Sequence, residues 1–175
     1  MPLQKMQDKA FFSRPSTEVA QDLLGKIICR KMEDDFVMRC RITETEAYFG
    51  EESICYGFGA NKEAGKTAAF YSVGKVCFYC GMLMISCFRQ RSPDNVLVRS
   101  VDCYCGPMRV TDAMDINAAL HGTNVMTSDL IWLEDDGSKT EFVSSKRVNI
   151  SDDTPYRFFV KTILFNDGNP KPASL

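Results

Sequence analysis

Arg39-Cys40-Arg41-Ile42-Thr43-Glu44-Thr45-Glu46-Ala47-Tyr48-Phe49-Gly50 is the stretch that decides the fold. Its Thr, Ile and Tyr favour a strand, and Gly50 can end one. Strict alternation puts Met38, Cys40, Ile42, Glu44, Glu46 and Tyr48 on one face. Arg39, Arg41, Thr43, Thr45 and Ala47 then share the other. On that count two carboxylates continue an apolar row and an aromatic ring follows. A solvated strand would set its charges opposite its apolar residues. A carboxylate held beside a flat ring at a strand end suits a site that binds a planar substrate and activates a water. The other reading is an edge strand whose tip emerges into solvent, with both glutamates hydrated.

Outward from this strand, Ile27-Ile28-Cys29 forms a shorter one, and the turn Met32-Glu33-Asp34-Asp35 joins the two as a hairpin. Before it, Val19, Ala20, Leu23 and Leu24 give a helical stripe that Gly25 stops. Ser16 or Thr17 is placed to cap that helix. Glu51 to Lys66 is a polar loop, and Val76 to Phe88 is apolar and rich in sulfur. Asn95 to Val101 is a strand, and Gly106-Pro107 opens a helix with Val110, Ala113, Met114 and Asn117 at helical spacing. Further strands are expected at Leu130 to Glu134, Lys146 to Ile150 and Tyr156 to Val160. Residues 1–10 and 166–175 are expected to fray.

With 175 residues the expectation is a single domain, of ordinary globular composition at 45% hydrophobic and 25% charged. No apolar run approaches the roughly 20 residues of a membrane helix. Eight cysteines behind a start that lacks a secretory apolar segment imply reduced thiols in the cytosol or nucleus. A net charge of -2 argues against a broad basic surface for nucleic acid. It leaves room for a local one, since Lys62, Lys66, Lys75, Arg89, Arg91, Arg99 and Arg109 fall in the middle third. Few phosphate contacts and a modest salt dependence would follow.

Two other motifs compete for a chemical reading. Ala60-Asn61-Lys62-Glu63-Ala64-Gly65-Lys66-Thr67 is a relaxed phosphate-loop pattern. Such a loop needs a buried strand before it and a helix N-terminus after it, and Gly57 and Gly74 interrupt both. Cys77, Cys80, Cys103 and Cys105 could ligate zinc, but their spacings are unequal and the sole histidine, His121, lies far off. Buried thiols among Met and Phe are the simpler reading, and no metal or other cofactor is expected.

From Thr17 to Val160 the chain resembles the alkyladenine (3-methyladenine) DNA glycosylases of the single-domain type. The specific part is Arg41-Ile42-Thr43-Glu44-Thr45-Glu46-Ala47-Tyr48-Phe49-Gly50, similar to that family's G-R-I-V-E-T-E-A-Y-x-G. Val96-Leu97-Val98-Arg99, Gly106-Pro107-Met108-Arg109-Val110 and Ile131-Trp132-Leu133-Glu134 look like later family segments, in the same order. The resemblance implies a mixed α/β (α+β) fold with a curved antiparallel sheet flanked by helices and a protruding β-hairpin. It implies that Glu46 activates the water that attacks C1′ of a flipped nucleotide. Arg99 would help place that water and Tyr48 would stack on the purine. Double-stranded DNA with damaged purines would be the partner of a monomeric enzyme, and the absence of a lysine nucleophile would make it monofunctional.

The chain departs from the family at the DNA-facing parts. Tyr56 lies nearest a family histidine opposite the stacking tyrosine. Lys66 remains where the family carries a loop with more arginines, and Arg109 is a further candidate for DNA contact. Tyr79 and Met82 are the candidates at the wedging hairpin. Ser86 or Cys87 lies nearest the place of a pocket asparagine, which would ease entry of guanine-type bases. The expected function is a DNA repair glycosylase for alkylated or deaminated purines. The alternatives are a protein of the same fold that binds DNA or bases without hydrolysis, and a phosphate-loop nucleotide hydrolase.

Overall fold

A computed structural model describes residues 2–52, 55, 65–87 and 92–161, with only the backbone of residues 65–67. In chain order the elements are β1 (Gln4–Lys5), α1 (Lys9–Phe12), α2 (Ser16–Leu23), β2 (Ile27–Lys31) and β3 (Val37–Tyr48). A 3-10 helix (Gly65–Tyr71) precedes β4 (Val76–Tyr79), β5 (Met82–Ser86), β6 (Asn95–Val101) and β7 (Tyr104–Cys105). Then come α3 (Pro107–Ala113), a second 3-10 helix (Ala118–Leu120), β8 (Ile131–Asp135), β9 (Phe142–Ser145) and β10 (Arg157–Val160). The strands pair antiparallel in one curved sheet, in the order β1-β8-β2-β3-β6-β5-β4. β10 joins the second half of β3 off this path and carries β9.

β3 does not keep strict alternation. Its pairing with β6 shifts register between Ile42 and Glu44 and again between Glu44 and Thr45. Cys40 and Ile42 lie in the main core before the irregularity, and Ala47 lies in it afterwards. β6 turns over in step, since Val101, Val98 and Val96 all reach that core. An irregularity of this kind exchanges the two faces of a strand. The expectation that Ile42, Glu44, Glu46 and Tyr48 share one face is therefore corrected. The core row passes from Cys40 and Ile42 to Thr45 and Ala47, and the glutamates come out on the opposite side. The buried Thr45 hydroxyl donates to the Ala20 carbonyl at 2.8 Å, which ties the kinked strand to α2.

α2 buries Val19, Ala20 and Leu23, as its stripe predicts. It ends before Gly25, whose φ of +82° favours glycine and where a Cβ would stand 2.1 Å from Thr140 Oγ1. No hydroxyl caps its start: Pro15 holds the cap position, and Ser16 is buried with its Oγ unpartnered. α3 stops at Ala113, so Asn117 is not on it; Asn117 instead caps the second 3-10 helix. The hairpin β4–β5 turns at Cys80 and Gly81, with φ of +49° and +76°. Two left-handed residues in a two-residue turn match the twist of the paired strands.

Lys146 to Ile150 is not a strand. β9 ends at Ser145, and the chain then turns at Asn149, where φ is +61°. Buried side-chain contacts of Arg147 and a backbone contact of Val148 hold this segment in place of a sheet partner. Near the N-terminus, where fraying is expected, Gln4 and Lys5 pair with Asp135 and Glu134, and Asp8 caps α1. The tail 166–175 lies outside the described residues. No described helix is long and apolar enough to cross a membrane.

Candidate active site

The face exposed by the kink in β3 carries the site. Glu46 pairs across to Leu97 of β6 and to Arg157 of β10, so it sits inside the sheet and is fully buried. Its carboxylate is held from three directions. The Tyr48 hydroxyl donates to Oε2 at 2.8 Å, and the Val148 backbone N–H donates to Oε1 at 2.8 Å. Arg99 Nη1 lies 3.4 Å from Oε1. A buried carboxylate is tolerable when it is paired and hydrogen-bonded in this way.

Glu44 supplies the other half of the cluster. Its Oε1 accepts from Arg99 Nε at 3.1 Å and from Arg157 Nε at 2.6 Å, while Oε2 accepts from Ser100 Oγ at 2.7 Å. Arg99 thus spans both glutamates, with Nε on Glu44 and Nη1 toward Glu46. Neither glutamate is a hydrated strand tip, which excludes that reading of the key stretch.

All three groups that hold Glu46 line one cleft of about 440 Å³. Its apolar side comes from Met82, Met84 and Leu97, and its rim from Tyr79, Pro107 and Met108. Met108 is largely exposed above Gly81, while Thr111 of α3 donates to the Gly81 carbonyl at 2.6 Å and docks the hairpin tip. Burial pushes the Tyr48 hydroxyl well above the ordinary tyrosine range, and the Glu46 charge adds to it. Tyr48 therefore stays a hydrogen-bond donor.

The structure brings Glu46, Arg99, Tyr48, Tyr79 and Met82 together around this cleft. Ser86 and Cys87 do not line it. The Ser86 hydroxyl accepts from the Lys75 N–H at 2.9 Å, and Cys87, just past the end of β5, packs in the main core. Alternation accounts for Cys87, since Met82 and Met84 face the cleft and residue 87 falls on the other side; Ser86 shares the face of Met84, but its hydroxyl is taken up by the Lys75 N–H beyond the end of the cleft. Arg109 is exposed on α3. Tyr56 and the Lys66 side chain lie outside the described residues. Among the described residues no three His, Cys, Asp or Glu side chains gather as a metal site. Cys77 is buried and Cys80 is exposed at the hairpin turn. His121 accepts through Nδ1 from the Phe78 N–H at 3.2 Å, a structural contact.

Three site residues were not singled out by sequence. Arg157 and Arg147 are cations in segments that otherwise read as strands, which is a weak signal of a buried acid nearby. Val148 acts through its backbone and leaves no signal at all.

A family model for methylpurine-DNA glycosylase matches residues 10–105 and 89–163 of the chain. The chain belongs to the methylpurine-DNA glycosylase family. Relatives provisionally named 3-methyladenine DNA glycosylase show the same likeness at modest identity. One from Psychrobacter cryohalolentis is 28% identical over 81% of this chain and 82% of its own. One from Shouchella clausii is 27% identical over 99% and 98%. One from Borreliella burgdorferi is 29% identical over 90% and 97%. Membership in the methylpurine-DNA glycosylase family places the protein among the DNA repair hydrolases. These relatives are bacterial, so they lend no support to a nuclear location.

Proposed function

We propose that the protein hydrolyses the N-glycosidic bond of alkylated or deaminated purines in duplex DNA. Support comes chiefly from one observation: a fully buried carboxylate, Glu46, whose three partners all line a cleft with an apolar, partly aromatic wall. In this reading a damaged nucleotide leaves the stack and enters the cleft, since its C1′ is out of reach inside a duplex. The Tyr48 ring and the Met84 and Leu97 side chains take the flat base. A carboxylate has about four lone-pair directions, and the donors on Glu46 leave room for a water. Glu46 accepts a proton from that water as its oxygen bonds to C1′. The C1′–N bond breaks and its electron pair leaves with the base. Arg99, fixed by Glu44, stands beside the Glu46 carboxylate and holds the water there.

No lysine lines the cleft among the described residues, which favours water as nucleophile and an intact abasic strand as product. Tyr79 and Met82 at the hairpin tip fill the gap left by the flipped nucleotide, and Arg109 and Lys66 meet phosphates. The enzyme acts as a monomer without a metal. The test is incubation with duplexes carrying 3-methyladenine, 7-methylguanine, hypoxanthine or ethenoadenine. Alkali-labile sites at the damaged base, with strands intact before alkali, are expected. Strand cleavage without alkali would contradict the monofunctional reading, and no labile site with any duplex would contradict hydrolysis.

A further inference from the structure

Arg147 takes no part in the proposed chemistry, yet it is among the largest fully buried side chains described. Its Nη1 donates to the Ala47 carbonyl and to Glu52 Oε2, both at 2.9 Å. Its Nη2 donates to Glu52 Oε1 at 2.9 Å and to Asp152 Oδ2 at 2.7 Å. The guanidinium carbon lies 4.9 Å from the centre of the Tyr48 ring and 5.3 Å from that of Tyr156.

We infer that Arg147 is a positioning residue for base release, setting two of the three groups that hold Glu46. This inference rests on the glycosylase reading above. Ala47 lies between Glu46 and Tyr48, so the bond to its carbonyl fixes the backbone from which both side chains spring. The stack on Tyr48 fixes the ring whose hydroxyl donates to Glu46. Val148 follows Arg147 directly, so anchoring this side chain to β3 and to Glu52 also places the Val148 N–H. Asn149, turned at φ +61°, then carries the chain away along the cleft.

Fold stability alone explains this arrangement poorly. A buried charge cluster adds little over apolar packing of the same volume. What it adds is direction: a planar guanidinium fixes four bonds and two ring faces at once, which an ammonium does not. Catalysis is sensitive to such placement, because a shift of about 1 Å in a supporting group can cost on the order of 10²-fold in rate.

The test uses Arg147→Lys, which keeps the charge and loses the fork. Asp152→Asn, at a partly exposed partner, is the milder second variant should the first fail to fold. Single-turnover base release from a 7-methylguanine duplex is measured at saturating protein. Affinity for a duplex with an abasic-site analogue is measured beside it, as is hydrogen exchange of the Val148 amide in free protein. The expected result is release slowed by about tenfold or more for Arg147→Lys and less for Asp152→Asn, with affinity within about threefold and faster Val148 exchange. A merely structural role would lower thermal stability and leave the saturated rate and the Val148 amide as they are. Wild-type release in a folded Arg147→Lys, or a rate loss fully matched by lost affinity, would overturn the inference. If wild-type protein releases no base at all, the glycosylase reading fails separately. Unchanged Val148 exchange in the variants would then overturn the positioning role by itself.

Discussion

The Tyr48 hydroxyl donates to Glu46 Oε2 across 2.8 Å, while the same ring forms part of the cleft wall. One side chain thus offers a flat surface toward the cleft and a hydrogen bond toward the carboxylate. The two residues stand two positions apart on β3, on the face that the kink at residues 42–45 turns away from the main core.

Tyr48→Phe separates these two tasks. The ring remains and the hydrogen bond to the carboxylate goes. A bond to a charged group contributes about 1.5–3 kcal/mol. Single-turnover release is expected to fall by about tenfold or more, with affinity for an abasic-site duplex nearly unchanged. Equal losses in rate and affinity would assign the hydroxyl to DNA binding instead.

Glu44→Gln tests the spanning arginine. The substitution leaves the Arg99 and Arg157 guanidinium groups short of one buried carboxylate. Breaking such a cluster costs about 3 kcal/mol. Urea unfolding is expected to show a loss of that order, and base release is expected to slow because Arg99 loses its anchor. A stability loss without any change in the saturated rate would show that Arg99 holds its place unaided.

Alkaline conditions address the buried thiols. Burial, with smaller contributions from nearby acids, pushes Cys29 and Cys40 up to about 12. In the unfolded chain such thiols ionise near 8.5. Between these values the folded protein keeps protons that the unfolded chain releases. Their contribution is therefore complete below about pH 8.5 and is lost as pH rises toward 12. Unfolding free energy is expected to fall between pH 8.5 and pH 10, and less steeply in the Cys29→Ala/Cys40→Ala variant. Equal slopes would show that these thiols do not carry the effect. At pH 8 a thiol reagent is expected to modify exposed Cys80 well before Cys29 or Cys40.

Much of this architecture was legible in the sequence. The β2–β3 hairpin, β6 over Asn95–Val101 and the Pro107 start of α3 follow from residue pattern and turn chemistry. A carboxylate beside the Tyr48 ring was legible in the stretch itself, whereas the approach of Arg99 to Glu46 was legible only through resemblance. The kink in β3 was not legible, because Thr43 and Thr45 suit either face of a strand and alternation has no way to mark a bulge. The one-residue offset it introduces explains why the glutamates seem, by counting, to continue the apolar row. The segment after β9 misled for a related reason. Val148 and Ile150 favour a strand, but Arg147 is drawn into Glu52 and Asp152 and the chain turns at Asn149. Cys87 shows the limit of reading a pocket by linear position, since its place just past the end of β5 puts it in the main core.

Glu46→Gln is the most direct test of the central claim. The amide keeps the shape of the carboxylate and accepts no proton from water. Loss of a general base costs about 10² to 10⁴ in rate. Wild-type and variant protein are compared in single-turnover release of 7-methylguanine and hypoxanthine from matched duplexes, with affinity for each duplex measured alongside. The account predicts release at least about 10²-fold slower in the variant, with affinity within about tenfold. Release by Glu46→Gln at a rate close to wild type would contradict it.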